Sequence, residues 1–129
     1  MTDPLEKLVV SGDELDKEML TTVLADLARI EKGSGEIRFT SKAAKLPKNQ
    51  QILLFLLGRK AAKALSLIEE ESIGPMGMEP KLGMKGGPLR GQLAVLKKSR
   101  LVQSDGGKYF IPNYAIEPVK ELITGRKEG

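Results

Sequence analysis

Six consecutive apolar residues, Ile52-Leu53-Leu54-Phe55-Leu56-Leu57, constrain this chain more than any other feature. They lie in a stretch that reads as one long helix, Lys48 to Ile68, and a helix apolar on every side needs cover all round. The run stops at Gly58 and continues into Arg59-Lys60, far short of the ~18 residues that cross a bilayer. Cover must come from the rest of the chain. With 129 residues, the chain is long enough for one real core and too short for two independent globular units. A single domain over residues 1–129 is therefore expected, with this helix between an N-terminal helix and the C-terminal half.

Composition removes whole classes of chemistry. There is no Cys and no His, so disulfides, thiolate or imidazole metal sites, and imidazole general bases are excluded. The carboxylate clusters Glu69-Glu70-Glu71 and Asp13-Glu14-Asp16 read as solvated helix ends. No Ser has a recognisable base partner, and Gly83 to Gly87 lacks the following Lys-Ser or Lys-Thr of a phosphate-binding loop. Neither an enzyme, nor a metal, nor a cofactor is expected. The start, Met1-Thr2-Asp3-Pro4, has no basic region leading into an apolar stretch, so a signal peptide is not expected either. A cytoplasmic location without a membrane partner follows as an expectation.

The net charge of +4 conceals a block arrangement. Residues 1–36 carry nine acids and four bases, and residues 37–63 carry seven bases and no acid. Residues 64–80 carry four glutamates and no base, whereas residues 81–108 carry seven bases against Asp105. Two basic segments flanking an acidic one suggest a single positive face suited to phosphate backbones. Scattered solvated lysines are the plain alternative.

Ser11-Gly12-Asp13-Glu14 reads as a capping box. Behind it Leu15, Met19, Leu20, Val23, Leu24, Leu27 and Ile30 form an apolar stripe, and Gly33 and Gly35 close that helix. The alternation Glu36-Ile37-Arg38-Phe39-Thr40 reads as a strand, with Leu8-Val9-Val10 as its candidate partner. Past the long helix, glycine and proline allow only short elements. Pro75 opens a short helix, and Pro88 opens a second that buries Leu89, Leu93 and Leu96. Around Asp105-Gly106-Gly107 the residues Leu101–Ser104 and Lys108–Ile111 form a hairpin. Asn113 and Pro118 open a last helix with Ile116, Val119, Leu122 and Ile123 inward and Gly125 after it. The tail 126–129 should fray.

From 48 to 111 the order is long helix, extended piece at Ser72-Ile73, short helix, tight turn, second helix and hairpin. This resembles a winged helix-turn-helix domain, most specifically over Leu89-Arg90-Gly91-Gln92-Leu93-Ala94-Val95-Leu96-Lys97-Lys98-Ser99-Arg100-Leu101-Val102 and Asp105-Gly106-Gly107-Lys108-Tyr109-Phe110-Ile111. The resemblance covers about half the chain. It implies a mainly α fold with a small β-hairpin (α+β), in which 1–47 is an N-terminal extension, 48–112 the winged core and 113–125 a C-terminal helix. One departure is Gly77 and Pro80 inside the short helix, which must be very short, irregular, or begin again at Pro80.

The resemblance implies duplex DNA as partner and a role as transcriptional or chromosome-associated regulator. With Leu89, Leu93 and Leu96 buried, Gly87, Arg90, Gly91, Ala94, Lys97 and Lys98 face outward. Lys85 and Arg90 would contact groove or phosphate at the helix start, Lys97, Lys98 and Arg100 would grip phosphate, and Lys108 would act beside the wing. Gln92 sits on the flank, so backbone-driven binding is expected over sequence selection. Three other readings stay open. Gly87, Gly91 and Ala94 form a smooth stripe that fits a protein partner in an adaptor, or another helix of the fold. Gly83-Met84-Lys85-Gly86 fits the Gly-x-x-Gly loop of a KH-like RNA-binding or ribosome-associated protein. A homodimer through the N-terminal helix is the third.

Overall fold

The computed structural model describes residues 4, 5 and 14–125. The fold is α+β: six α-helices, a short 3-10 turn and two small antiparallel hairpins among the described residues. Helix α3 (Lys48–Ala64) is its axis. Every residue from Gln51 to Gly58 is buried in it, and its cover comes from α1 (Lys17–Leu24), the N-terminal hairpin, α4 (Pro75–Leu82), α5 (Gly86–Lys98), the second hairpin and α6 (Ile116–Thr124). The apolar run thus finds the all-round burial it requires.

The N-terminal part departs from the expected single helix. Helix α1 ends at Leu24, and Ala28–Ile30 forms β1, antiparallel to β2 (Ile37–Phe39) with Ala28 opposite Phe39 and Ile30 opposite Ile37. The spacing of Leu24, Leu27 and Ile30 suits one helical face, but Ala28-Arg29-Ile30 also alternates buried, exposed, half-buried. Pairing with β2 decides between them. Leu27 C=O accepts from Thr40 N–H at 3.0 Å, and the Thr40 hydroxyl donates to Asp26 C=O at 2.9 Å. Ser11 of the expected capping box, the expected strand Leu8–Val10 and the tail 126–129 lie outside the described residues. The cap seen on α1 is Asp16, whose carboxylate accepts from Met19 N–H at 2.9 Å. Leu20, Val23 and Leu24 are buried, and α1 packs on α3 and α6, so the stripe a dimer would use serves the core of one chain. A short helix α2 (Ser41–Ala44) follows β2, and Gln51 ties it to α3 by donating to Ala44 C=O and Leu46 C=O.

Helix α4 starts at Pro75 and runs through Pro80 without a break. Pro80 removes the donor for the Met76 carbonyl, yet both residues lie on the exposed side of the helix, where water can replace it. At the far end Gly83 adopts φ +64°, and the Lys48 ammonium donates to Leu82 C=O at 2.9 Å. Helix α5 then begins after a turn of three residues. Its first turn holds Gly86, Gly87 and Pro88, and its buried face is Leu89, Leu93 and Leu96 as the spacing predicts. Strands β3 (Gln103–Asp105) and β4 (Lys108–Phe110) pair across Gly106-Gly107, and Ile73 adds a bridge to Tyr109 on the other side of β4. A 3-10 turn (Asn113–Ala115) leads into α6, which buries Ile116, Val119 and Ile123, leaves Leu122 exposed, and ends at Gly125 with φ +67°. No helix among the described residues is long and apolar enough to cross a membrane.

Candidate nucleic-acid interface

The two basic segments meet different fates. In the first, Arg38 pairs with Glu31 at 2.9 Å, and Lys48 caps α4. Arg59 donates to the backbone carbonyls of Glu70 and Glu71 at 2.8 and 2.9 Å, and burial lowers its pKa against the opposing pull of both carboxylates. The Lys60 ammonium, only 5% exposed, sits 2.7 Å from Glu71 Oε2 and 2.7 Å from Asn113 Oδ1. The other three cations of that segment, Lys42, Lys45 and Lys63, are exposed and in no ion pair among the described residues.

Glu70 and Glu71 are not helix ends, because α3 stops at Ala64, the chain turns at Ser66 (φ +62°) and Arg59 of α3 holds the backbone of residues 70 and 71, although Glu70 itself stays exposed. Glu71 enters the Lys60 pair. Glu70 accepts from Lys108 at 2.9 Å and from the Ser72 hydroxyl at 2.8 Å, which together hold its carboxyl below the usual carboxylate range. Lys108, expected to act beside the wing, thus stands in an exposed ion pair. Lys81 is likewise bound to Glu36, whose pKa the hydrogen bond and charge of Lys81 lower.

The second segment keeps its charge free around α5. None of the ion pairs among the described residues involves Lys85, Arg90, Lys97, Lys98 or Arg100, and all five are exposed. They follow the helix from its N-cap, Lys85, through its last turn to the residue after Ser99. The N-terminus of α5 has no side-chain cap and no acid in its first turn, but the Glu79 carboxylate of α4 lies beside its first residue, Gly86.

Glycines at 87 and 91 have open space where a Cβ would stand, and Ala94 is exposed. Packing of this stripe against another helix of the described fold, one of the expected readings, is thus overturned: none of the described residues covers the outward face of α5. Val95, 61% exposed, extends it with Pro88 and Gly91 along one edge, while Arg90 and Lys97 flank the other. Val95 escaped the sequence reading because it falls off the Leu89, Leu93, Leu96 spacing among apolar neighbours. At the other end of the Gly-x-x-Gly loop the fit to a strand backbone is poor. A Cβ at Gly86 would stand 2.8 Å from the Arg90 guanidinium and 2.8 Å from a Glu79 carboxylate oxygen, so an incoming phosphate meets a carboxylate there. Among the methionines, Met78 is core, Met84 is half-buried and Met76 is 78% exposed.

No family model, curated protein or solved structure matches the chain.

Arg100 carries a backbone cost. It adopts φ +65° where α5 ends, with its N–H donating to Lys97 C=O and Leu101 N–H donating to Leu96 C=O, each at 3.0 Å. This is the left-handed terminus that glycine usually fills, and α4 and α6 do end in Gly83 and Gly125. Arg100→Gly should raise stability by about 1 kcal/mol, the usual left-handed penalty for a residue with a Cβ. The urea midpoint should move up accordingly, and an unchanged or lower midpoint would refute the strain argument.

Proposed function

We propose that residues 48–111 form a winged helix-turn-helix and that the protein binds duplex DNA through α5, as a transcriptional or chromosome-associated regulator. Lys85 and Arg90 contact the duplex at the start of α5, and Lys97, Lys98 and Arg100 hold phosphates toward its end. The observation that carries this reading is the gathering of five exposed cations on and beside one helix, α5, none of them in an ion pair among the described residues. The three-residue turn from α4 to α5 and the Ile73 bridge beside the second hairpin support the winged arrangement.

The outward face of α5 offers glycine, alanine, valine and cations, and Gln92 is only half-exposed. Such a face holds phosphate and reads few base edges, so binding depends steeply on salt and weakly on sequence. Lys108 contributes little while Glu70 holds it.

The test is fluorescence anisotropy on random duplex DNA across a salt series. Alanine at Lys85, Arg90 and Lys97 together should weaken binding and flatten the slope of log K against log salt by roughly 2.7, near 0.9 for each lost phosphate contact. An unchanged slope in a folded variant removes these residues from the contact. Tighter binding to single-stranded RNA than to duplex would favour the Gly83–Gly86 loop instead.

A further inference from the structure

Beside the end of α5 lies an open groove of about 430 Å³ lined by Lys97, Arg100, Val102, Gln103, Ser104 and Tyr114. Three features give it a chemistry. Lys97 and Arg100 are cations with no ion-pair partner among the described residues. The Tyr114 side chain is an aromatic ring in a residue 53% exposed, its hydroxyl accepting from the Gln103 side-chain amide at 3.1 Å. The third is the free edge of β3. Tyr109 exchanges both of its backbone hydrogen bonds with Ile73, at 3.1 and 2.8 Å. On its other side β4 must then pair through Lys108 and Phe110, so Ser104, opposite Tyr109, turns its N–H and C=O away from β4 to the open edge. The carboxylate on this strand, Asp105, stands opposite Lys108 near the hairpin tip.

A strand three residues long, with one outward backbone pair at Ser104, is too short an edge to hold an added peptide strand. Two cations, an outward N–H and an exposed ring suit a phosphate joined to a flat base. We propose that this groove takes an unpaired nucleotide extending from the end of a DNA duplex. The phosphate joining it to the duplex is one that Lys97 and Arg100 hold in that reading, here met by the Ser104 N–H as well, and its base lies against the Tyr114 ring. The inference rests on the duplex-binding reading above and adds a preference for duplex ends or junctions with unpaired bases.

The experiment compares, by anisotropy, a blunt duplex with the same duplex carrying a short unpaired extension on either strand. The wild-type protein should bind one extended form about 5- to 150-fold more tightly, the range for one base stacked on one aromatic ring. Tyr114→Ala should abolish that preference while leaving affinity for the blunt duplex unchanged, and Tyr114→Phe, which keeps the ring, should retain it. Equal wild-type affinity for both forms, or a preference that survives Tyr114→Ala, overturns the inference and leaves duplex binding standing. Binding to neither form overturns the duplex reading and this inference with it.

Discussion

Replacing Glu71 by alanine should destabilise the protein by about 3 kcal/mol, the lower end of the range for breaking one side of a buried ion pair. Lys60 is 5% exposed and the Glu71 side chain 22% exposed, with 2.7 Å between the charged atoms. Without the carboxylate, the ammonium keeps the Asn113 side-chain oxygen as its one polar partner among the described residues. A neutral amide oxygen does not replace the lost charge in a site shielded from water. The lower end applies because Glu71 is partly solvated and its ion is the less costly to bury. Urea unfolding should show a lower midpoint with an unchanged slope.

The double variant Lys60→Met with Glu71→Leu supplies the contrast. It removes both charges together, and buried pairs replaced by apolar groups of similar volume often come out neutral or more stable. Stability within about 1 kcal/mol of wild type is expected. If Glu71→Ala alone costs less than that, the pair is not what fixes residues 69–71 to α3.

Leu93→Ala is the second large effect, with an expected loss of about 2–5 kcal/mol. Leu93 is fully buried between Leu89 and Leu96, and these three hold α5 on the core. Truncation removes apolar burial and leaves a cavity that surrounding backbone cannot fill. Val95, two residues on, is 61% exposed, and Val95→Ala should change stability by no more than about 0.5 kcal/mol. Thermal or urea unfolding of the two variants side by side checks the orientation of α5. Similar losses at both positions would mean that the helix presents a different face.

That orientation was legible in the sequence. Leucines at 89, 93 and 96 are spaced by four and three, and helical geometry alone puts them on one side and Gly87, Arg90, Gly91 and Ala94 on the other. The hairpin was legible for an equally local reason: Gly106 and Gly107 supply the positive φ angles, +62° and +85°, that a tight turn needs. Less legible was the N-terminal region. The spacing at Leu24, Leu27 and Ile30 satisfies a helix and is also compatible with a short strand, and only pairing with Ile37–Phe39 settles the choice. Tyr114 and Gln103 were passed over because nothing in their neighbourhoods marks them. They become a site only when the 3-10 turn brings the ring beside β3.

Charge shows the same division most sharply. By itself the sequence determined that an all-apolar helix must be enclosed, that α5 has one buried face, and that imidazole and thiol chemistry are absent. It also revealed two basic blocks around an acidic one. Which of those cations remain free was decided only by tertiary structure. Lys60 meets Asn113 across 53 residues, Lys81 meets Glu36 across 45, and Lys108 meets Glu70 across 38. Helical and strand periodicities report which neighbours in sequence share a face, because backbone geometry repeats locally. Ion pairs depend on distances of a few ångströms between segments remote in sequence, and those distances exist only once the core has closed around α3.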